Sequence, residues 1–384
     1  MSFKPLFSRS LSAAPGRLHM AAHSHHLWPD VSFAGQVEYW EDAARLADRK
    51  WGRVMDELWP AAQAEVAAEL GTGQADAIVF SANTHDFLVR LWAAAPRRVG
   101  GPLRILTTDG EFHSARRQFA RWVESGEIVL SVLPADPVDT LAQRLAAEAG
   151  TADLILVSQL LFGSGRLVNG LETLAAVSRP DGPWVVIDGY HSFMATPEPL
   201  GRLGERCFFL AGGYKYAMSG EGLGLMHCPP GFGPRPPVTG WYAEFDDLTL
   251  PPGQVGYAPD AMRFMGATFD PSAIYRFLHV RRALADEGLD TARIAAHVAR
   301  LQALLIEVLA NSPLAEAELL NPLADGPRAR FLALRHPRAT AWQEELMVQD
   351  CITDVRGDVL RIGLGLYHDD ADVMHFAELA RTLA

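Results

Sequence analysis

The chain has 384 residues, 49% of them hydrophobic, enough for a large core and suggestive of one large domain with a smaller one. A formal charge of −12 argues against nucleic acid and anionic membrane surfaces as partners. No apolar run reaches membrane-spanning length, the N-terminus does not read as a signal peptide, and the three cysteines have neither metal spacing nor a disulfide framework, which leaves the cytoplasm as the expected setting.

Residues 1–30 read as irregular, with Pro5, Pro15, Gly16 and Pro29. From Val31 to about Leu58 the apolar residues, Trp40, Leu46, Trp51 and Val54 among them, recur at helical spacing. Pro60 is expected to interrupt this helix, and a second one to run to about Leu70, closed by Gly71. Strands are then predicted at Ala77–Phe80, Leu103–Thr107, Ile128–Leu133, Leu154–Val157, Val185–Ile187, Phe208–Ala211 and Leu223–His227, with helices between several of them. Such alternation predicts an α/β fold, a mostly parallel seven-stranded sheet wrapped by helices. A Pro/Gly-rich stretch, Pro229 to Pro259, breaks the rhythm. Helices from Pro271 and over Ala292–Leu309, then strands near Arg330–Arg335 and Val359–Gly363, predict a smaller α+β domain. The expected organisation is an N-terminal segment, 1–30, packed on the small domain and the active-site rim, a large domain over 31–270, and the small domain over 271–384.

Cys207 to His227 carries the most chemical information. An apolar run ends in Gly212-Gly213, and Tyr214 and Lys215 follow on a tight turn at the strand end. A lysine held there in an apolar pocket loses amine basicity and becomes a nucleophile, the basis of Schiff-base chemistry with pyridoxal 5'-phosphate (PLP). Upstream, Trp184-Val-Val-Ile-Asp188 delivers an acid at another strand end, and His191 follows three residues on. A carboxylate against the pyridine nitrogen keeps the ring an electron sink, and both strand ends can face one crevice. Asp188 alone would read equally as a helix cap, and His191 as a core histidine.

The order and spacing of these elements resemble the fold-type I PLP enzymes of the class V aminotransferase superfamily, and within it kynureninase. Gly213-Tyr-Lys-Tyr216, Asp188-x-x-His191, Gly240-Trp241 and Asp354-Val-Arg-Gly-Asp-Val-Leu-Arg361-Ile-Gly-Leu-Gly-Leu-Tyr367 carry the resemblance. It implies that Lys215 binds PLP and moves the α-proton, that Asp188 pairs with the pyridine nitrogen, and that His191 supports Asp188 or the ring face. It places Asn83 and Thr84, in the turn before a helix, on the phosphate, with Tyr214, Trp241 and, from a partner subunit, Thr268. Phe112 matches the aromatic that stacks on the ring, with His113 as its competitor. Arg361 would bind the substrate α-carboxylate, or else pair with Asp354 or Asp358.

The implied protein is a homodimeric enzyme acting on an α-amino acid, with hydrolytic Cβ–Cγ cleavage as in kynureninase. Class V transamination, and β-lyase or desulfurase activity, share most of these residues. Desulfuration needs a mobile cysteine, for which Cys351 is the late candidate. The sequence departs from the kynureninase pattern where Gly240-Trp241 runs into Tyr242-Ala-Glu-Phe, at Met218-Ser219, and in Leu160-Leu-Phe-Gly-Ser-Gly-Arg166. Two other readings stand beside it. His23-Ser-His25-His26, with His19 and Asp30, is a candidate zinc cluster for a metal hydrolase. A non-catalytic PLP-binding protein would retain the fold but has no need of Arg361.

Overall fold

The computed structural model describes residues 2–98, 100–245 and 248–384. The central sheet has seven strands: β1 (Ile78–Ser81), β2 (Leu103–Thr108), β3 (Ile128–Leu133), β4 (Leu154–Ser158), β5 (Trp184–Asp188), β6 (Cys207–Gly212) and β7 (Gly224–His227). Their spatial order is β1-β7-β6-β5-β4-β2-β3, and only β7 runs against its neighbours. Strands β4 to β6 are buried almost throughout, as continuous Val/Ile/Leu/Phe runs require when helices cover both faces. Each predicted strand lies within a residue or so of its observed bounds.

The longer helices are α1 (Asp30–Leu46), α2 (Trp59–Glu69), α3 (Thr84–Ala94), α4 (His113–Glu124), α5 (Leu141–Glu148), α6 (Leu171–Val177), α7 (Ser272–Asp286), α8 (Thr291–Leu309), α9 (Ala339–Val348) and α10 (Asp370–Ala380). The expected single helix to Leu58 breaks earlier, at Ala47, whose φ of +50° lies in the left-handed region. Pro60 sits in the first turn of α2 and does not end a helix there. It donates no hydrogen bond and crowds the preceding turn, and Val54–Leu58 before it widens into a π-helical turn.

A second sheet, antiparallel throughout, orders as β10 (Asp354–Arg356), β11 (Val359–Gly363), β9 (Phe331–Arg335) and β8 (Glu318–Leu319). It forms a separate core with α8, α9 and α10, around Leu301, Leu332, Trp342, Ile362 and Phe376. Helix α7 belongs to the first core through Ile274, Tyr275, Phe277 and Val280, so that core extends past residue 271. The N-terminal segment is tied to the second sheet's end of the molecule. Its two-residue strand Leu18–His19 pairs in parallel with Cys351–Ile352, and Ala21 bridges Gly363. Among the described residues no helix is long and apolar enough to cross a membrane.

Candidate active site

The C-terminal ends of β4, β5 and β6 open on one cavity of about 330 Å³. This is the crevice side on which open parallel sheets place their ligands. Strand β5 ends in Asp188 and β6 in Gly212, after which the chain turns through Tyr214 and Lys215. Backbone hydrogen bonds close the turn: Met218 N–H donates to Lys215 C=O at 3.0 Å and Ser219 N–H to Gly213 C=O at 2.9 Å. Lys215 thus projects from a fixed point into the cavity.

Burial pushes its amine down to about 7, against the opposing pull of Asp188. Lys215 Nζ donates to His191 Nε2 at 2.6 Å, and it lies 5.2 Å from the centre of the Tyr190 ring. Burial, with Lys215 nearby, holds His191 well below its usual range, so the neutral ring is the acceptor. Its Nδ1 has no partner among the described residues. Burial raises the Asp188 carboxyl, opposed by the Tyr190 N–H, which donates to Oδ1 at 2.9 Å, and by Lys215. His191 therefore serves the lysine in this structure, where sequence reasoning assigned it to Asp188 or the ring face.

The cavity gathers Thr84, Phe112, Asp188, His191, Tyr214, Lys215 and Arg361 from the candidate residues. Asn83 caps α3: its side-chain oxygen accepts from Asp86 N–H at 3.0 Å. The neighbouring Thr84 lines the cavity at the helix N-terminus, where backbone N–H groups favour an anion. Phe112, 42% exposed, lines the cavity and meets Phe162 edge-to-face at 5.5 Å, whereas His113 begins α4 and is not among the lining residues. Trp241 and Thr268 lie elsewhere, with Trp241 Nε1 donating to Thr268 Oγ1 at 3.4 Å. Thr268 lines a separate depression with Ser81, Asp86 and Arg90.

Arg361 is buried, and its partner is Asp354, one of the two internal acids considered. Nη2 donates to Asp354 Oδ2 and Nη1 to the Phe162 carbonyl at 2.6 Å. Arg356 donates to the other oxygen of Asp354. His23 Nε2 lies 3.5 Å from Asp354 Oδ2. Burial works against Asp354, yet these cations and His23 hold its carboxyl down to about 2.

Sequence reasoning missed several wall residues. The sequence reading places none of His23, Ser24, Ser158, Phe162, Tyr190 and Arg356 in the wall, where the structure has them. The period-two alternation of β10 carries a usable signal for Arg356, since it places residue 356 on the same face as residue 354. Tyr242 is buried elsewhere and stacks on Phe245 at 5.0 Å, and Arg166 pairs with Asp139 at 3.3 Å.

The histidine cluster does not converge. His19 Nδ1 is 2.6 Å from the Tyr367 hydroxyl, His26 packs against Phe7 and Tyr367, and Asp30 binds Ser8 and the Arg9 N–H. Among the described residues no three His, Cys, Asp or Glu side chains form a metal-binding group. Cys351 lies buried in its strand, where burial pushes the thiol up to about 12. Cys207 and Cys228 are buried too, and no cysteine is among the cavity's lining residues.

The residues present fit PLP. The cavity holds a weakly basic lysine, and a carboxylate enters from the next strand. A half-exposed aromatic forms one wall, and a helix N-terminus opens on the space.

Comparison with known proteins agrees with this geometry. Residues 294–379 match the kynureninase C-terminal domain family. Isopenicillin N epimerase from Streptomyces clavuligerus is 29% identical over 144 residues, which is 36% of this chain and 35% of that protein's length. The cystine C–S lyase C-DES, solved as a mutant with glycine covalently linked to its PLP cofactor, matches with a TM-score of 0.78 at 17% identity. The match covers 98% of this chain and 99% of that one. A cysteine desulfurase from Thermococcus onnurineus NA1 matches with a TM-score of 0.79 at 16% identity, over 97% of this chain and 96% of its own. The chain has the α/β fold of the fold-type I PLP enzymes.

Proposed function

We propose that this protein is a PLP-dependent enzyme that acts on an α-amino acid and cleaves a bond at its β-carbon, as kynureninases do. The observation that carries the reading is the Lys215 amine, at the end of β6, set down to about 7 inside a cavity that Asp188 enters from the adjacent strand. Lys215 would hold PLP, Asp188 its ring nitrogen, Thr84 and the start of α3 its phosphate, and Phe112 one face of its ring. When bound, PLP supplies an electron sink for charge developing at the substrate's α-carbon.

The chain's own residues do the rest. Lys215, with a pKa close to neutrality, both takes and returns the α-proton. His191 fixes the position of its Nζ. Arg361 orients the substrate by its carboxylate. Phe112, Phe162, Tyr190 and Tyr214 form an aromatic wall of the cavity.

The family match across Arg361 favours the kynureninase-like reaction. A second reading, β-elimination from a sulfur amino acid, draws on the structural likeness to a cystine lyase and a cysteine desulfurase. Sulfur transfer to a cysteine of this chain is the less favoured form of it, because all three thiols are buried outside the cavity. We further propose a homodimer in which Thr268 and Trp241 reach the partner's phosphate site, and a cytoplasmic setting in keeping with three unpaired cysteines.

The test is the visible spectrum of protein supplied with PLP, before and after borohydride, for wild type and Lys215→Ala. We expect a cofactor band in wild type that borohydride abolishes and the variant lacks. A wild type with no band would sink the proposal. With a band established, kynurenine is the first substrate to try and cystine the second.

A further inference from the structure

The ion-pair network behind Arg361 has an unusual charge count. Asp354 and Arg361 are register partners on β10 and β11, and Arg356 lies two residues beyond Asp354. Strand alternation puts all three side chains on one face of this sheet. Asp354 gives one oxygen to each arginine: Oδ1 to Arg356 and Oδ2 to Arg361. Two cations therefore share one anion, and both arginines line the cavity.

The sharing also sets a spacing. The two guanidinium groups stand apart by what one carboxylate spans, with an oxygen on each. Donors remain on both. Arg361 Nε is buried without a partner among the described residues. Arg356 spends Nη1 on Asp354 and on the Val355 carbonyl, and among the described residues its Nε and Nη2 carry no hydrogen bond. The Arg356 side chain is 41% exposed, so a ligand can reach it. A buried guanidinium donor with no acceptor is costly, and an anion arriving from the cavity would relieve that cost.

We propose that Arg356 is the second arm of a two-arginine clamp, and that the substrate's α-carboxylate bridges Arg356 and Arg361 on the cavity side as Asp354 bridges them from behind. This rests on the reading that the cavity receives an α-amino acid. Arg356 is then a binding and specificity residue. It selects a planar carboxylate over a neutral amide, because only the carboxylate offers one charged oxygen to each guanidinium.

The experiment uses the full chain loaded with PLP. Wild type, Arg356→Gln and Arg356→Lys are titrated with a panel of α-amino acids and the matching α-amides. Binding is read by calorimetry and by the change in the cofactor band. In Arg356→Gln, affinity for the acids should fall on the order of 10- to 100-fold, the loss of a charge-assisted contact. Affinity for the amides and for PLP should stay unchanged, and Arg356→Lys should lie between. Equal losses for acids and amides would make Arg356 merely structural and overturn the clamp. Acid binding unchanged in Arg356→Gln would overturn it too. A wild type that binds PLP but no amino acid would overturn the reading beneath it, and the wild-type titration alone distinguishes that outcome.

Discussion

Glu111 illustrates how much of this site lies behind the residues that face the cavity. It is fully buried between β2 and β4, accepting hydrogen bonds from Thr108 Oγ1 at 2.7 Å and Ser158 Oγ at 2.5 Å. Burial pushes its carboxyl up to about 7, opposed by the two hydroxyls and reinforced by the nearby charge of Asp188. A carboxyl that is harder to ionise when folded stabilises the fold fully below its unfolded pKa, near 4.5, and that contribution is lost as pH rises through about 7. The contribution is on the order of 3 kcal/mol. Glu111→Gln, always neutral, should lack this dependence. Melting temperatures of the two proteins between pH 4 and 8 should diverge, wild type losing ground as pH rises. Parallel curves would mean that folding leaves the Glu111 pKa unshifted. No reading of the sequence singled out Glu111, because its setting depends on Ser158, which only sheet order brings beside it. Lys215 and Asp188 were legible because each follows a buried apolar run, and the ends of such runs lie at the edge where ligands bind.

Among the elements, the N-terminus of α3 is closely packed against another backbone. Gly224, which opens β7, pairs with Ser81 of β1 and lies against the backbone of Asn83. A β-carbon at residue 224 would stand 2.5 Å from the Asn83 carbonyl carbon and 2.7 Å from its Cα. Neither backbone atom can yield without moving the start of α3. Gly224→Ala should therefore cost about 1–3 kcal/mol of stability. It should also weaken PLP binding by about tenfold or more, measured by fluorescence titration beside the melting temperature. If PLP affinity held while stability fell, α3 would not be the phosphate anchor.

The seven strands were readable because each is a short apolar run between turn residues, and the sheet buries both faces. The break at Ala47 was not, since an alanine gives no signal of a left-handed backbone. Nor was the pairing of Leu18–His19 with Cys351–Ile352. Two-residue strands have no periodicity, and their partners lie at opposite ends of the chain.

At the scale of the molecule, one stripe of exposed apolar residues would suit contact with a second copy. Phe33, Val37 and Trp40 follow one stripe of α1, with Trp40 70% exposed. Trp241, which is not among the residues lining its own chain's Lys215 cavity, is 42% exposed. We expect static light scattering to give a dimer, and Trp40→Glu to shift it toward monomer if α1 lies in the interface. A wild-type monomer that still turned over substrate would remove Thr268 and Trp241 from the phosphate site.

Segments from either side of the seven-stranded sheet in the sequence meet at the site, and this bears on the order in which the site is made. His23 lies N-terminal to the sheet. The wall it meets, Asp354, Arg356 and Arg361, lies C-terminal to it, and His23 Nδ1 sits where a side chain on Gly363 would be. On the ribosome the seven-stranded sheet and the Lys215 turn are complete once residue 227 has emerged, well before β10 and β11 exist. During that interval the amine stands beside an open crevice with no carboxylate clamp opposite it. On the proposed reading, a nascent chain acquires its cofactor before it can hold a substrate, and the later β10–β11 hairpin completes the site.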